Sequence, residues 1–242
     1  MPNVNLDTLV AERFIALQSP LGRWRLNGYV WLKRLSWRWL ISGTLWAKRL
    51  LDLTAGLMLL VLFGPLFLLI ALLIKLEEGG PVFFVQTRVG KAGRHFRMWK
   101  FRSMYMEAEH RLKDLIGHNQ HSDGVTFKMK DDPRITRVGR LLRRSSMDEL
   151  PQLFNVLMGV MSLVGPRPPV PREVALYSPA ERRRLAVAPG ITCLWQIGGR
   201  SEIDFSGQVQ LDVQYIESQS FWGDVKILLK TVPAVMSGRG AY

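Results

Sequence analysis

LLDLTAGLMLLVLFGPLFLLIALLI, Leu50 to Ile74, decides the fold class of this chain. About twenty consecutive apolar residues are what a bilayer-embedded helix requires. A helix buried in a soluble core would carry a polar stripe that this run lacks. It begins too far along the chain, and without a small-residue cleavage site after it, to read as a signal peptide. Gly64-Pro65 stands near its middle, where proline removes a backbone donor and crowds the preceding turn, so a break is expected there. Lys33, Arg34, Arg38, Lys48 and Arg49 precede the run, and Lys75, Arg88, Lys91 and Arg94 follow it. The positive-inside rule therefore wants both flanks on the cytoplasmic face. A helix that enters, bends at Pro65 and returns satisfies both; a spanning helix with a tolerated proline kink is the alternative.

Before the run, Trp24, Trp31, Trp37, Trp39 and Trp46 are interleaved with Arg23, Arg25, Lys33, Arg34 and Arg38. Amphipathic rings with cations favour the headgroup layer, so residues 1–47 read as an aromatic, basic interfacial leader. Stacking platforms for single-stranded nucleic acid would need a soluble basic groove, and an adjoining membrane helix argues against one. The whole chain, 242 residues with a formal net charge of +13, has room for one main domain and asks for an anionic partner. Cys193 is the sole cysteine, which excludes an internal disulfide and favours a cytoplasmic working environment.

After the membrane segment, 48–76, a globular domain is expected over 77–242. PVFFVQTRVGKAGRHFRMWKF alternates as a β-hairpin around Gly90-Lys91-Ala92-Gly93, with Phe96 and Met98 facing one way and Arg97 and Trp99 the other. Lys100, Arg102 and Ser103 cluster at the end of its second strand, as a solvated tip or a phosphate clamp. Residues 107–116 read as helix and 118–124 as a polar loop whose His118 and His121 lack further metal ligands. DPRITRVGRLLRR gives an amphipathic helix behind Pro133, with Ile135, Val138, Leu141 and Leu142 on its apolar side and Arg137, Arg140 and Arg144 opposite.

SSMDELPQLFNVLMG, Ser145 to Gly159, sets two acids directly behind Arg143 and Arg144. Leu150, Leu153, Phe154 and Leu157 repeat at helical spacing. A cap at Ser146 would place Pro151 where its missing N–H costs a hydrogen bond; a cap at Asp148 would not. The helix is therefore expected to start at Asp148, with Glu149 in its first turn, held anionic by the helix dipole and the arginines. Such a carboxylate can be a cap, an Mg²⁺ ligand or a nucleophile toward phosphorus, and pattern alone ranks the cap first. Downstream, a short strand leads to Arg167 between prolines, and a second leads to a Gly198-Gly199-Arg200 loop.

Taken together, KFRSM at 100–104, DPRIT at 132–136, SMDELPQLFNVL at 146–157, SLVGPRP at 162–168, and PGIT through GGRS at 189–201 resemble the bacterial sugar transferases. These are the monotopic polyprenol-phosphate phosphoglycosyl transferases, and the likeness covers roughly residues 46–242, including the Gly64-Pro65 break, which in that family marks a re-entrant helix. The resemblance implies an α+β fold: a re-entrant helix, interfacial amphipathic helices and a small cytoplasmic catalytic domain at the inner membrane. It implies that Asp148 attacks the sugar-bearing phosphorus of a UDP-sugar, releases UMP, and passes the phosphosugar to undecaprenyl phosphate, with Glu149 assisting. Mg²⁺ held by Asp148 and Glu149 is the implied cofactor. Lys100, Arg102, Arg143 and Arg167 match the phosphate-binding positions, and Gln196 and Arg200 lie in the segment that meets nucleotide or sugar.

Leu194-Trp195-Gln196 resembles the members that transfer glucose or galactose phosphate, which serve exopolysaccharide, capsule or O-antigen synthesis. Homo-oligomers and downstream glycosyltransferases are the further partners implied, and nucleic acid is not one. Cys193, at a position usually glycine, and Gly198, in place of a polar residue, depart from the pattern. The chain also lacks the spanning helices and extra domain of the larger members. A non-catalytic membrane-anchored scaffold that binds polyanions is the rival reading; it has no use for both acids and all four phosphate-matching cations.

Overall fold

The computed structural model describes residues 20–108, 129, 132–199 and 203–237. The leader before Pro20, the loop at 118–124, most of the helix expected at 107–116 and Arg200 lie outside the described residues. The chain divides into two units, 1–47 and 48–242. In the first, helical from Pro20, the rings of Trp24, Trp31 and Trp46 are exposed and Lys33 Nζ stands 6.0 Å from the Tyr29 ring centroid.

Helix α1, Pro20–Glu78, carries the apolar run into the second unit. Its part from Gly43 to Glu78 is long and apolar enough to cross a membrane. Gly64 and Pro65, where a break is expected, stand inside the helix, whose turns continue on either side. The cost of a proline here is confined to one missing donor and local crowding, and the surrounding turns carry the helix past it.

The helix is bound to the domain along its length from Lys48. Lys48 Nζ donates to Val164 O at 2.9 Å and to Asp224 Oδ2 at 2.7 Å. Arg49 reaches two carbonyls at the end of another helix, Val156 O and Leu157 O. The buried carboxylate of Asp52 accepts from Ser162 Oγ and from the backbone N–H of Leu163. At the far end Glu77 accepts from the backbone N–H groups of Arg137 and Val138, and Glu78 from Met106. Between these anchors Leu59, Leu60, Phe67, Ile70 and Ile74 pack on the domain, whereas Leu57, Val61, Leu62, Leu68 and Leu72 stay exposed.

The hairpin forms as its alternation predicts: β1, Phe83–Val89, pairs antiparallel with β2, His95–Phe101, in a register running from Phe83 opposite Phe101 to Val89 opposite His95. Met98 is buried and Arg97 exposed. Ala92 (φ 55°) and Gly93 (φ 76°) close the turn. Helix α2 is Arg137–Arg144, capped by Thr136, whose Oγ1 accepts from Gly139 N at 2.9 Å. Gly139 is required there, since a Cβ would lie 2.0 Å from Ser103 O. Leu142 is buried but Leu141 is not: a helix this short buries one narrow stripe, and Val138 and Leu142 form it.

The remaining elements are α3 (Gln152–Leu157), β3 (Ser162–Val164), α4 (Pro171–Ala175), β4 (Gly190–Thr192), α5 (Leu194–Gly198), α6 (Phe205–Glu217) and α7 (Phe221–Ser237). Strands β3 and β4 pair in parallel, so the chain between them crosses over through α4 and a 3₁₀ turn at Glu181–Ala186. Two clusters form the core: Met98, Leu153, Val156, Met161, Leu163, Val164, Tyr215 and Ile227 make one, and Ile70, Ile74, Phe101 and Leu142 the other.

Candidate active site

The two acids sit on a 3₁₀ turn, Met147–Glu149, between α2 and α3. Asp148 is not the cap of a helix, which corrects the sequence expectation. Ser146 turns left-handed (φ 56°) behind α2, the 3₁₀ turn follows, and the α-helix starts only after Pro151, which occupies its cap position. Proline has no N–H to offer the first turn, so it stops the α-helical ladder from extending back to Asp148. The acid is thus free of capping duty. Its residue is 8% exposed.

Asn155 holds this turn against the hairpin. Fully buried on α3, its Oδ1 accepts from Trp99 N at 3.0 Å and its Nδ2 donates to Arg97 O at 2.7 Å. These are strand groups that β1 does not use, and satisfying them locks β2 beside the acids. Lys100, next on β2, then reaches Glu149 Oε1 at 2.6 Å and stands 3.9 Å from Asp148 Oδ2. The two carboxyls are pushed in opposite directions. Burial raises the pKa of Asp148, and the charge of Glu149 adds to that against Lys100 and Arg143. Burial works the same way on Glu149, but the charges of Lys100 and Arg167 and the hydrogen bond from Lys100 outweigh it and hold its pKa low. Two neighbouring acids with separated titrations are a pattern of catalytic sites.

The four phosphate-matching cations part company. Arg143 donates through Nε to Ser103 Oγ at 3.0 Å, and both Arg143 and Arg167 line a cleft of about 290 Å³. Arg102 turns instead to the end of α1, bonding Gly79 O, with Glu78 Oε2 at 3.5 Å and Met106 Sδ at 3.0 Å. The chain makes room for it with two left-handed glycines, Gly79 (φ 73°) and Gly80 (φ 64°), and a Cβ on Gly80 would lie 2.6 Å from the guanidinium.

Arg88 was missed by motif reading. Nearly buried on β1, it donates through Nη1 to Pro168 O at 2.8 Å and through Nε and Nη2 to Gln86 Oε1. Val89 N donates to Pro169 O at 2.9 Å beside it. Strand β1 thereby grips the proline loop that presents Arg167. Burial, helped by the nearby charge of Arg167, lowers the Arg88 pKa to about 10. Its signal in the sequence was an arginine on a strand whose neighbours alternate inward, readable only once the inner face is known.

Asp132 and Arg134 form a buried pair at 2.6 Å in the cleft wall. Tyr177, Trp195, Phe205 and Gln208 also line the cleft, as does Arg184, which forms a buried pair with Asp212 at 2.6 Å. Gln196 does not line the cleft; its Oε1 accepts from Cys193 Sγ at 3.2 Å. Cys193 is fully buried, and burial raises its thiol pKa well above the ordinary value, so the thiol is inert.

Among the described residues no group of three or more His, Cys, Asp or Glu side chains stands ready to hold a metal. Asp148 and Glu149 are two hard carboxylate donors, the residue type that Mg²⁺ takes, and the ammonium of Lys100 stands at both.

The family model described as Bacterial sugar transferase matches residues 43–238. The chain is 50% identical over 192 residues to galactosyl transferase CpsE of Streptococcus agalactiae serotype III, an alignment covering 79% of this chain and 42% of CpsE. It is 43% identical over 194 residues to the exopolysaccharide production protein ExoY of Rhizobium meliloti, covering 79% of this chain and 86% of ExoY. It is 42% identical over 200 residues to the UDP-glucose:undecaprenyl-phosphate glucose-1-phosphate transferase of Caulobacter vibrioides, covering 79% and 70%. The chain thus spans less than half of the first relative and most of the second.

Proposed function

The chain belongs to the bacterial sugar transferases, and from that membership we propose that it transfers a hexose 1-phosphate, glucose or galactose 1-phosphate, from a UDP-sugar to undecaprenyl phosphate. This would be the first membrane step in making an exopolysaccharide, capsule or O-antigen. The observation that carries the reading is Asp148: a nearly buried carboxylate with no capping role, 3.9 Å from Lys100 and beside an arginine-lined cleft.

The reaction runs in two displacements. An Asp148 carboxylate oxygen attacks the sugar-bearing phosphorus, and the bond to the UMP oxygen breaks, so that UMP leaves with the bonding pair. A phosphate oxygen of undecaprenyl phosphate then attacks the same phosphorus, the aspartyl–phosphorus bond breaks, and the carboxylate is restored. Phosphoryl transfer of this kind depends on positioning and charge neutralisation more than on proton movement. Lys100, Arg143 and Arg167 supply the positive charge, and Glu149, kept anionic by Lys100, orients that lysine. Asp148 and Glu149 are the residues that would hold Mg²⁺, which would supply further positive charge to the diphosphate.

The apolar helix fits a segment that enters the inner membrane from the cytoplasmic side without crossing. Lys48 and Asp52 at one end and Glu77 and Glu78 at the other are all bound by the same domain. A helix crossing the bilayer would put those ends on opposite sides of the membrane, out of reach of one domain on a single face.

The test is UMP release from a panel of UDP-sugars by the full chain in micelles, with undecaprenyl phosphate and Mg²⁺. Release with UDP-glucose or UDP-galactose, a lipid-linked diphosphosugar product, and a trapped phosphosugar on Asp148 in the absence of lipid are expected. Normal turnover by Asp148→Asn would remove Asp148 as nucleophile, and a chain inert toward every UDP-sugar would favour the scaffold.

A further inference from the structure

The cleft carries two kinds of lining. Arg143 and Arg167 stand near the acids. Tyr177 and Phe205 line the same cleft, nearly buried, with their rings 5.5 Å apart. Arg184, also a lining residue, lies against both, its guanidinium carbon 5.9 Å from the Tyr177 ring and 5.6 Å from the Phe205 ring. Asp212 in turn holds Arg184 at 2.6 Å, and Arg184 Nη1 donates to Tyr177 OH at 3.2 Å. Aromatic faces packed against a buried ion pair form a preorganised surface for a flat ring.

Gln208 supplies the polar group beside it. Its Nε2 donates to Ile203 O at 2.9 Å, which fixes the amide orientation, because only the nitrogen can donate to a carbonyl. Its Oε1 takes no protein partner among the described residues. An acceptor anchored in this way beside an aromatic wall reads a ring N–H. Uracil carries such an N–H between two carbonyls, whereas cytosine has a bare acceptor nitrogen at that position.

We propose that Tyr177, Phe205 and Gln208 form the base subsite of the nucleotide-sugar site, and that Gln208 selects uracil over cytosine. The inference rests on the proposed reading that the donor is a nucleotide sugar. Diphosphate on the arginines and base on the aromatics would share one cleft.

The experiment is calorimetric titration of the full chain in micelles with UMP and with CMP, for the wild type, Gln208→Leu and Phe205→Leu. Thermal melting checks that each variant is folded. The wild type is expected to bind UMP about tenfold or more tighter than CMP, since a site that bonds a substrate N–H rejects the analogue lacking it. Gln208→Leu should bring the two affinities together, and Phe205→Leu should weaken both. Undiminished UMP preference in folded Gln208→Leu, or unchanged UMP affinity in folded Phe205→Leu, overturns the subsite. If the wild type still releases UMP from UDP-sugars in that case, the enzymatic reading stands. A wild type that neither binds UMP nor turns over any UDP-sugar sinks both.

Discussion

Lys100 and Glu149 close an ion pair of 2.6 Å, with side chains 17% and 25% exposed, while Asp148 shares the same ammonium at 3.9 Å. One cation serves two acids unequally. The division gives them different roles, because the acid left with the weaker share is the one free to react. Asp148→Asn should therefore lower UMP release by at least about a thousandfold while the fold is retained. Glu149→Gln, which loosens Lys100 and removes a proposed Mg²⁺ ligand, should cost about a hundredfold. Rates and melting temperatures measured together check both.

The pH dependence follows from the same geometry. As the proposed nucleophile Asp148 must be deprotonated, and burial raises its pKa above the ordinary 3.8. Activity should thus fall on the acid side at a pH higher than an ordinary aspartate would give. Lys100→Met removes the charge that opposes that shift, so the acid limb should move further up in a rate–pH profile. A limb that stays in place would show that Lys100 does not act on Asp148.

Arg88 does its work through the proline loop. Arg88→Lys cannot bond Pro168 O and Gln86 together as the guanidinium does. The expected result is roughly a tenfold drop in kcat from a loosened Arg167, with little change in melting temperature. An equal loss of stability would instead assign Arg88 a structural role alone.

Lys48→Met leaves Asp224 buried without its cation, though Tyr215 OH still donates to it at 2.8 Å. Breaking a buried pair from one side costs about 3 kcal/mol, and denaturant unfolding in micelles should show it. The double variant Lys48→Met with Asp224→Leu should recover much of the loss.

Asp212 should make stability fall with rising pH over a defined window. Burial raises its pKa to about 6 against the bonds from Arg184, whereas in the unfolded chain it lies near 3.8. Between these values the folded state binds more protons, so stability declines as pH rises from about 4 to 6 and then levels. Asp212→Asn should flatten that slope in melting curves recorded across the range.

The elements were largely legible because each writes a local period into the chain. Alternation marked the hairpin, and the pairing of Phe83 with Phe101 through Val89 with His95 is what it called for. The position of the acids was legible, but their local geometry was not. A proline three residues after Asp148 was read as moving an α-helix onto the acid, whereas it held the acid in a 3₁₀ turn ahead of the helix. Turn type depends on how Ser146 and Pro151 are pinned from both sides, and no periodicity carries that information.

By itself the sequence determined an apolar helix flanked by cations, a basic domain behind it and two acids set among arginines, since composition and period fix burial and charge residue by residue. Only the tertiary structure decided which cations meet the acids. It sent Arg102 to the end of the membrane helix, brought Lys100 to Glu149 through Asn155, and put Arg88 behind the loop of Arg167. It also gathered Tyr177, Phe205 and Gln208 on the lining of one cleft from segments that are silent in the sequence. The reason is that a long charged side chain takes whichever partner chain closure leaves within reach. That choice belongs to the packing of distant segments.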